Sequence, residues 1–176
     1  MARLIALLRG INVGGHRRIK MDDLKQRLSS AGLKNISTYI QSGNVIFDTE
    51  MKDPEAVSHF ISKQIRDAYG YKVPVIIRSP EEMERALDHF PFEEREGWKG
   101  YISFLSGIPD RDTIQSWEAA SSDIEKFAAE DNHLFSLVNK QTKVKPTFSN
   151  SFVEKLVKEP ATTRNLQTVR SIIEMS

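Results

Sequence analysis

The sequence predicts an α+β protein built from two sheet-and-helix modules. Short apolar runs alternate with segments whose apolar residues recur at helical spacing, and glycine or proline stands at most of the junctions. The predicted order through residue 78 is strand, helix, strand, strand, helix, strand, which is the split β-α-β or ferredoxin-like order. With 176 residues, 39% of them hydrophobic, the chain is long enough to bury roughly two-thirds of its unfolded surface.

The first module is predicted to span residues 1–96 and contains the clearest local signals. Asp53 is expected to cap a helix that has Pro54 in its first turn and ends at Gly70. Ser42-Gly43 suits the tight turn of a β-hairpin. The predicted strands cover 3–9, 36–41, 44–48 and 73–78, and the predicted helices lie between residues 22 and 32, 53 and 70, and 79 and 91, with Asp22, Asp53 and a Ser79–Glu82 capping box at their starts.

The second module is predicted to span residues 97–176 with the order β-α-β-β-α-α, an incomplete or modified version of the first. Thr162–Asn165 is expected to open the last helix, whose apolar face begins at Leu166. No repeat is visible at the level of individual residues. The predicted strands cover 101–105, 124–129 and 133–139, and the predicted helices cover 110–120, a segment from a Ser151–Glu154 capping box to Pro160, and the C-terminal segment.

Both faces of the first predicted sheet are apolar. In the first strand Ile5 and Leu7 face away from Leu4, Ala6 and Leu8. A ferredoxin-like order places its helices on one face only, so we expect the second module or a partner chain to cover the other face.

Composition excludes several classes of function. The chain has no cysteine, which rules out disulfides, thiol nucleophiles and cysteine-ligated zinc. No apolar run approaches the roughly 18 residues that a membrane span needs, which predicts a cytosolic protein without a membrane partner. The four histidines lack metal-ligand spacing and no serine stands in a GxSxG elbow. We predict no metal and no cofactor, and whether the protein is an enzyme stays open.

A basic, glycine-containing loop after the first strand is the main candidate for a binding site. Residues 1–45 carry a net charge of +6, although the whole chain has only +1. Glycines admit a ligand to backbone N–H groups, so the loop is suited to hold a phosphate or a carboxylate. The alternative is a flexible turn with solvated arginines, because the P-loop and dinucleotide-binding fingerprints are both absent. The candidate residues are Arg9, Gly10, Asn12, Gly14, Gly15, His16 and Arg17, with Arg18 as a further cation.

Two other segments offer polar groups. Thr162–Asn165, at the predicted start of the last helix, presents Arg164 and Asn165 to an anion or simply caps the helix. Gln41–Asn44 forms the predicted hairpin turn and offers neutral donors and acceptors. We expect this turn to lie at the opposite strand ends from the basic loop, which predicts no joint site.

The strings 6–16 and 39–45 resemble the bacterial family of unknown function DUF1697, and the resemblance continues through Arg78-Ser79, 90–92 and 162–165. It covers essentially the whole chain. It implies a pair of ferredoxin-like modules and no known activity. The family pattern continues after its C-terminal Arg-Asn with Trp and Asn, where this chain has Leu166 and Gln167.

Three functions therefore stay open. The leading one is a binding protein or enzyme for a small anionic ligand held by the basic loop. The second is a nucleic-acid-associated module, for which Lys140, Lys143 and Lys145 add cations. The third is a structural or protein-interaction module without a small ligand. Oligomeric state is not predicted by any of these features.

Overall fold

The computed structural model describes all 176 residues, which form two compact units. The first unit comprises Met1–Glu84 and Ser171–Ser176, and the second comprises Arg85–Arg170. Each contains one four-stranded antiparallel sheet, and the chain has six helices. The fold is therefore mixed, with helices and antiparallel sheets in both units.

The first unit contains β1 to β4, α1, α2 and the first part of α3, which continues into the second unit, and its sheet order is β2-β3-β1-β4. The caps predicted from the sequence are confirmed at α2 and α3. The Asp53 carboxylate accepts from the N–H groups of Glu55 at 3.1 Å and Ala56 at 3.3 Å, and Gly70 ends α2 at φ 75°. The bounds are β1 Ala2–Leu8, α1 Met21–Ser30, β2 Lys34–Tyr39, β3 Asn44–Thr49, α2 Pro54–Tyr69, β4 Val75–Arg78 and α3 Pro80–Asp88.

The start of α1 differs from the prediction. Lys20 is the N-cap residue, and no side chain caps the helix. Asp22, the predicted cap, lies inside the first turn. Burial of Ile19 and Met21, which are 2% and 4% exposed, brings the chain into the helix two residues earlier than the position of the aspartate suggested.

Both faces of the first sheet are buried. Leu4, Ala6 and Leu8 belong to a core cluster that includes residues of α1 and α2. Ile5 and Leu7, which point to the opposite face, are also inaccessible to solvent.

The second unit contains β5 to β8 with the sheet order β6-β7-β5-β8. Its element order is β-α-β-β-α-β followed by α6, so the predicted β-α-β-β-α-α order was wrong. The residues expected to open the last helix form β8 instead. The bounds are β5 Trp98–Leu105, α4 Arg111–Ala119, β6 Glu125–Glu130, β7 His133–Asn139, α5 Asn150–Val157, β8 Ala161–Asn165 and α6 Leu166–Met175.

Pairing with β5 explains the extra strand. Thr163 lies opposite Ser103 in the ladder, and their hydroxyl oxygens are 2.7 Å apart. β-Branched threonines fit such a pleated surface well. The helix cap predicted for a threonine is provided by Asn165, whose side-chain oxygen accepts from the N–H of Thr168 at 2.9 Å.

The capping box predicted for α5 was also wrong. Ser149 is the N-cap residue, and its hydroxyl accepts from the N–H of Phe152 at 3.1 Å. Glu154 instead accepts from the N–H of Ala161 at 3.0 Å, which connects the helix to the first residue of β8. The Glu154 carboxylate, which the sequence spacing predicted to cap α5, therefore accepts a hydrogen bond from the next strand.

The strand pairings reveal a repeat that the sequence does not show. Ile5 pairs with Arg78 between β1 and β4, and Ile102 pairs with Arg164 between β5 and β8. The two arginines occupy equivalent ladder positions, and both are buried. Burial lowers the pKa of both guanidinium groups, that of Arg164 to about 10.

The longest helix, α2, has 16 residues. No helix combines the length and apolar character that crossing a membrane requires.

Candidate functional site

The loop between β1 and α1 contains a small hairpin of its own, residues 12–17. The N–H of Asn12 donates to the carbonyl of Arg17 at 3.2 Å, and the N–H of His16 donates to the carbonyl of Val13 at 3.0 Å. The loop is thus held by backbone pairing on both sides of its tip.

Gly14 and Gly15 form the tip of this hairpin. Their φ angles are 57° and 78°, and two successive positive values are characteristic of a type I′ turn. Such a turn matches the twist of the strands that it joins. The two glycines therefore form a defined turn, in contrast to the flexible one considered from the sequence.

Asn12 ties the loop together and connects it to the β2–β3 turn. Its side-chain oxygen accepts from the N–H of Ile19 at 2.8 Å. Its side-chain nitrogen donates to the carbonyl of Ile19 at 2.9 Å and to that of Gln41 at 2.7 Å. The amide group of this predicted ligand-binding residue is thus engaged in holding the two segments together.

The β2–β3 turn lies beside the basic loop, and the expectation that they lie apart was wrong. The N–H of Leu8 donates to the carbonyl of Gly43 at 2.8 Å. Because β1 runs antiparallel to β3, the end of β1 lies next to the start of β3, with Leu7 opposite Asn44. The turn that precedes β3 must therefore lie next to the loop that follows β1.

Gly43 and Asn44 have structural roles in this contact. A Cβ atom on Gly43 would lie 2.7 Å from the Cβ of Leu8 and 2.8 Å from the Cδ1 of Ile11. Asn44 is inaccessible to solvent, and its side-chain nitrogen donates to the carbonyl of Tyr39 at 2.9 Å. The turn is packed directly against the end of β1.

A cavity of about 490 Å³ opens where the loop and the turn meet. Arg18 lies in its wall, and the Nε of Arg18 donates to the carbonyl of Gly15 at 3.2 Å. No carboxylate lies within ion-pair distance of Arg17, Arg18 or Lys20. The residues lining the cavity are Asn12, Gly15, Arg18, Ile19, Lys20 and Gln41.

The backbone around the cavity is strained. Ile40 has φ 50° and Arg17 has φ 48°. A left-handed conformation is unusual for any residue with a side chain and is a clear outlier for a β-branched one. Strain of this kind costs roughly 1–3 kcal/mol per residue, and Asn35, Asp131 and Lys158, outside the cavity wall, adopt similar φ angles.

The structure places the predicted site residues of the first unit in one loop but only two of them in the cavity wall. Asn12 and Gly15 line it, and Gly10, Gly14, His16 and Arg17 lie elsewhere in the loop. Arg9 is half-buried, and its N–H donates to the carbonyl of Pro74 at 3.0 Å. The prediction omitted Ile19, Lys20 and Gln41. The antiparallel direction of β1 and β3 was the signal that would have identified Gln41.

Arg164 and Asn165 belong to the second unit. Arg164 is 8% exposed, and its Nη1 donates to the hydroxyl of Thr162 at 2.6 Å and to the carbonyl of Thr163 at 3.0 Å. Asn165 caps α6, as described above. Both residues thus have contacts within their own strand and helix.

Similarity to other proteins agrees with the fold. The chain is similar in structure to conserved bacterial protein SP0830 from Streptococcus pneumoniae, with 25% sequence identity and a TM-score of 0.72. The match covers 98% of this chain and 97% of that one. No curated protein matches the sequence. The family described as "Protein of unknown function (DUF1697)" matches residues 1–135, and the chain therefore belongs to the DUF1697 family.

Proposed function

We propose that the protein binds a small oxyanion-bearing ligand, a phosphate or a carboxylate, in the cavity between the β1–α1 loop and the β2–β3 turn. One observation carries the proposal: the cavity wall contains Arg18 and Lys20, and neither has a carboxylate partner. Cations next to a concave surface are suited to charge-assisted hydrogen bonds with an anion.

The ion pairs of the first unit lie away from the cavity. Arg3 pairs with Asp48 at 3.2 Å, and Lys63 pairs with Asp67 at 2.5 Å. Exposed Lys25 and Lys34 also lack a carboxylate partner, so what distinguishes Arg18 and Lys20 is their position in the cavity wall.

We also propose a fold type for the two modules and a cellular location for the protein. We take residues 1–96 and 97–176 as two ferredoxin-like modules, because both sheets follow a β-α-β-β-α-β element order with the fourth strand beside the first. A cytosolic location is consistent with the absence of cysteine.

Arg18→Gln is expected to weaken anion binding roughly 10- to 100-fold, since a hydrogen bond to a charged group contributes about 1.5–3 kcal/mol. A thermal-shift screen against phosphate, sugar phosphates, nucleotides and organic acids identifies the probe, and titration calorimetry then measures its affinity. Lys25→Gln, an exposed cation on α1 outside the cavity wall, serves as the control. Equal loss in both variants would indicate diffuse attraction to a basic surface and contradict the proposal.

A nucleic-acid surface in the second unit is the second candidate. The ammonium groups of Lys140 and Lys99 lie 5.3 Å and 5.9 Å from the ring centre of Tyr101. Lys143 and Lys145 are exposed on the loop that begins at Lys140. Cations arranged around an aromatic ring are typical of single-strand binding surfaces.

If this surface binds single-stranded RNA, affinity should fall with salt by a slope of about −0.7 per phosphate neutralised. Fluorescence anisotropy of a labelled oligonucleotide over a salt series measures the slope. Lys140→Gln should make the slope shallower by about 0.7, the contribution of one phosphate, whereas Lys158→Gln, at the C-cap of α5, should not change it. No retention of RNA at low salt would eliminate this candidate.

If neither RNA nor any anion binds, a structural or protein-interaction role is what remains.

A further inference from the structure

The cavity in the first unit is far larger than one oxyanion. Its volume of about 490 Å³ falls within the range of roughly 300–1,000 Å³ that is typical of pockets for small organic molecules. A bare phosphate would leave most of this space to water. The size therefore indicates an organic ligand that carries the anionic group.

The β1–α1 loop supplies both charged and uncharged residues to the wall. Arg18 and Lys20, both in the β1–α1 loop, flank Ile19, an apolar residue that separates the two cations. Gly15 has no side chain, and a Cβ atom there would lie 3.4 Å from an Nη atom of Arg18, so the guanidinium lies against the glycine backbone. Ile19 is only 2% exposed, so this loop presents mainly its two cations and the backbone of Gly15 to a ligand.

Gln41, from the β2–β3 turn, contributes an uncharged polar group. Its backbone carbonyl accepts from Asn12, but its exposed side-chain amide has no hydrogen bond within the protein. A glutamine side chain presents one donor and one acceptor side by side. The edges of nucleobases are complementary to this pair of groups.

The first turn of α1 limits the charge that the ligand can carry. Lys20 is its N-cap without a side-chain cap, so the unbonded N–H groups of the turn favour an anion nearby. Asp22 in the same turn opposes that attraction, whereas the carboxylate of Asp23 accepts from the hydroxyl of Tyr69. Opposed charges of this kind favour a single phosphate over a diphosphate or triphosphate.

We infer that the ligand is a nucleoside monophosphate, with its phosphate at Arg18 and Lys20 and its base at Gln41. This inference rests on the proposed function, because it uses the same cavity. It adds a requirement that anion binding alone does not impose: the uncharged part of the ligand must contribute to affinity.

Titration calorimetry of the full chain tests the inference with defined probes. These are inorganic phosphate, adenosine, AMP, GMP, CMP and UMP, with hippurate as a carboxylate that also carries an amide and a ring. We expect at least one nucleotide to bind tenfold or more tightly than inorganic phosphate, and the free nucleoside to bind weakly because it lacks the charge-assisted contacts.

Two variants separate the parts of the site. Gln41→Ala should weaken nucleotide binding about two- to tenfold, the effect of a neutral hydrogen bond, and leave phosphate binding unchanged. Arg18→Gln should weaken both. Gln115→Ala, an exposed glutamine on α4, is the matched control and should alter neither. Because the Gln41 side chain is exposed, its truncation should leave the melting temperature unchanged.

The outcomes distinguish this inference from the proposed function. If phosphate binds as tightly as every nucleotide and Gln41→Ala changes nothing, the inference is overturned while anion binding stands. If hippurate binds more tightly than every nucleotide, the ligand is a carboxylate and the nucleotide assignment is wrong. If no probe binds the unaltered protein, both fail together.

Discussion

Gly43→Ala is expected to lower the free energy of unfolding by roughly 2–4 kcal/mol, combining the cost of an overpacked core with that of a left-handed residue. The new methyl carbon would lie 2.7 Å from the Cβ of Leu8 and 2.8 Å from the Cδ1 of Ile11. Both neighbours are inaccessible to solvent, so neither can move away without disturbing the core. Chemical denaturation monitored by circular dichroism measures the loss.

Gly70→Ala is the matched control for this prediction. Gly70 has φ 75°, close to the 89° of Gly43, but no heavy atom lies within 4 Å of the Cβ position. It should show only the conformational cost, roughly 1–2 kcal/mol. If the two variants lose the same stability, the contact between the β2–β3 turn and β1 is not close-packed as described.

Asn12→Gly is expected to cost roughly 2–4 kcal/mol of stability, because it removes three hydrogen bonds that are each worth about 0.5–1.5 kcal/mol. Glycine keeps the left-handed backbone that Asn12 adopts at φ 54°, so the change isolates the side chain. The variant should also weaken ligand binding, since Gln41 loses its connection to the loop. Urea denaturation and calorimetry with the same probe measure the two effects.

Asn35→Gly provides the control for Asn12→Gly. Asn35 also has a left-handed backbone, at φ 49°, and its exposed side chain donates to Asp48 at 2.6 Å. Replacing Asn35 should lower the free energy of unfolding by well under half of the loss expected for Asn12→Gly. Should Asn12→Gly keep its stability yet lose its affinity, Asn12 is a direct ligand contact, as the sequence suggested, and the structural role assigned to it is wrong.

The elements that could be predicted from the sequence are those with complete local signals. The helix α2 has its cap, its proline and its terminal glycine within the segment itself, and the structure confirms all three. The strand β8 has no such signal, because its five residues acquire their conformation by pairing with β5. A strand defined by a distant partner is indistinguishable in sequence from the start of the helix that follows it.

The candidate site also has one part that local sequence signals predict and one part that depends on distant strand pairing. Glycines and positive charge identified the β1–α1 loop correctly as a polar, turn-rich segment. The contribution of Gln41 depends on which strand ends meet in the sheet, a property of the pairing between β1 and β3. The expectation placed this turn where β1 begins, whereas Leu7 pairs with Asn44 near the end of β1, and Asn12 bonds to Gln41 there at 2.7 Å.

The type I′ turn at the tip of residues 12–17 has a kinetic consequence. A wall that is already folded requires no rearrangement before the ligand enters, so association should be a single step whose observed rate rises linearly with ligand concentration. A loosely ordered loop would instead produce a rate that levels off at high concentration, limited by how often the loop reaches its closed shape. If the cavity binds the proposed ligand, the paired backbone around Gly14 and Gly15 favours rapid capture, and differences among ligands should appear mainly in how long each one stays bound.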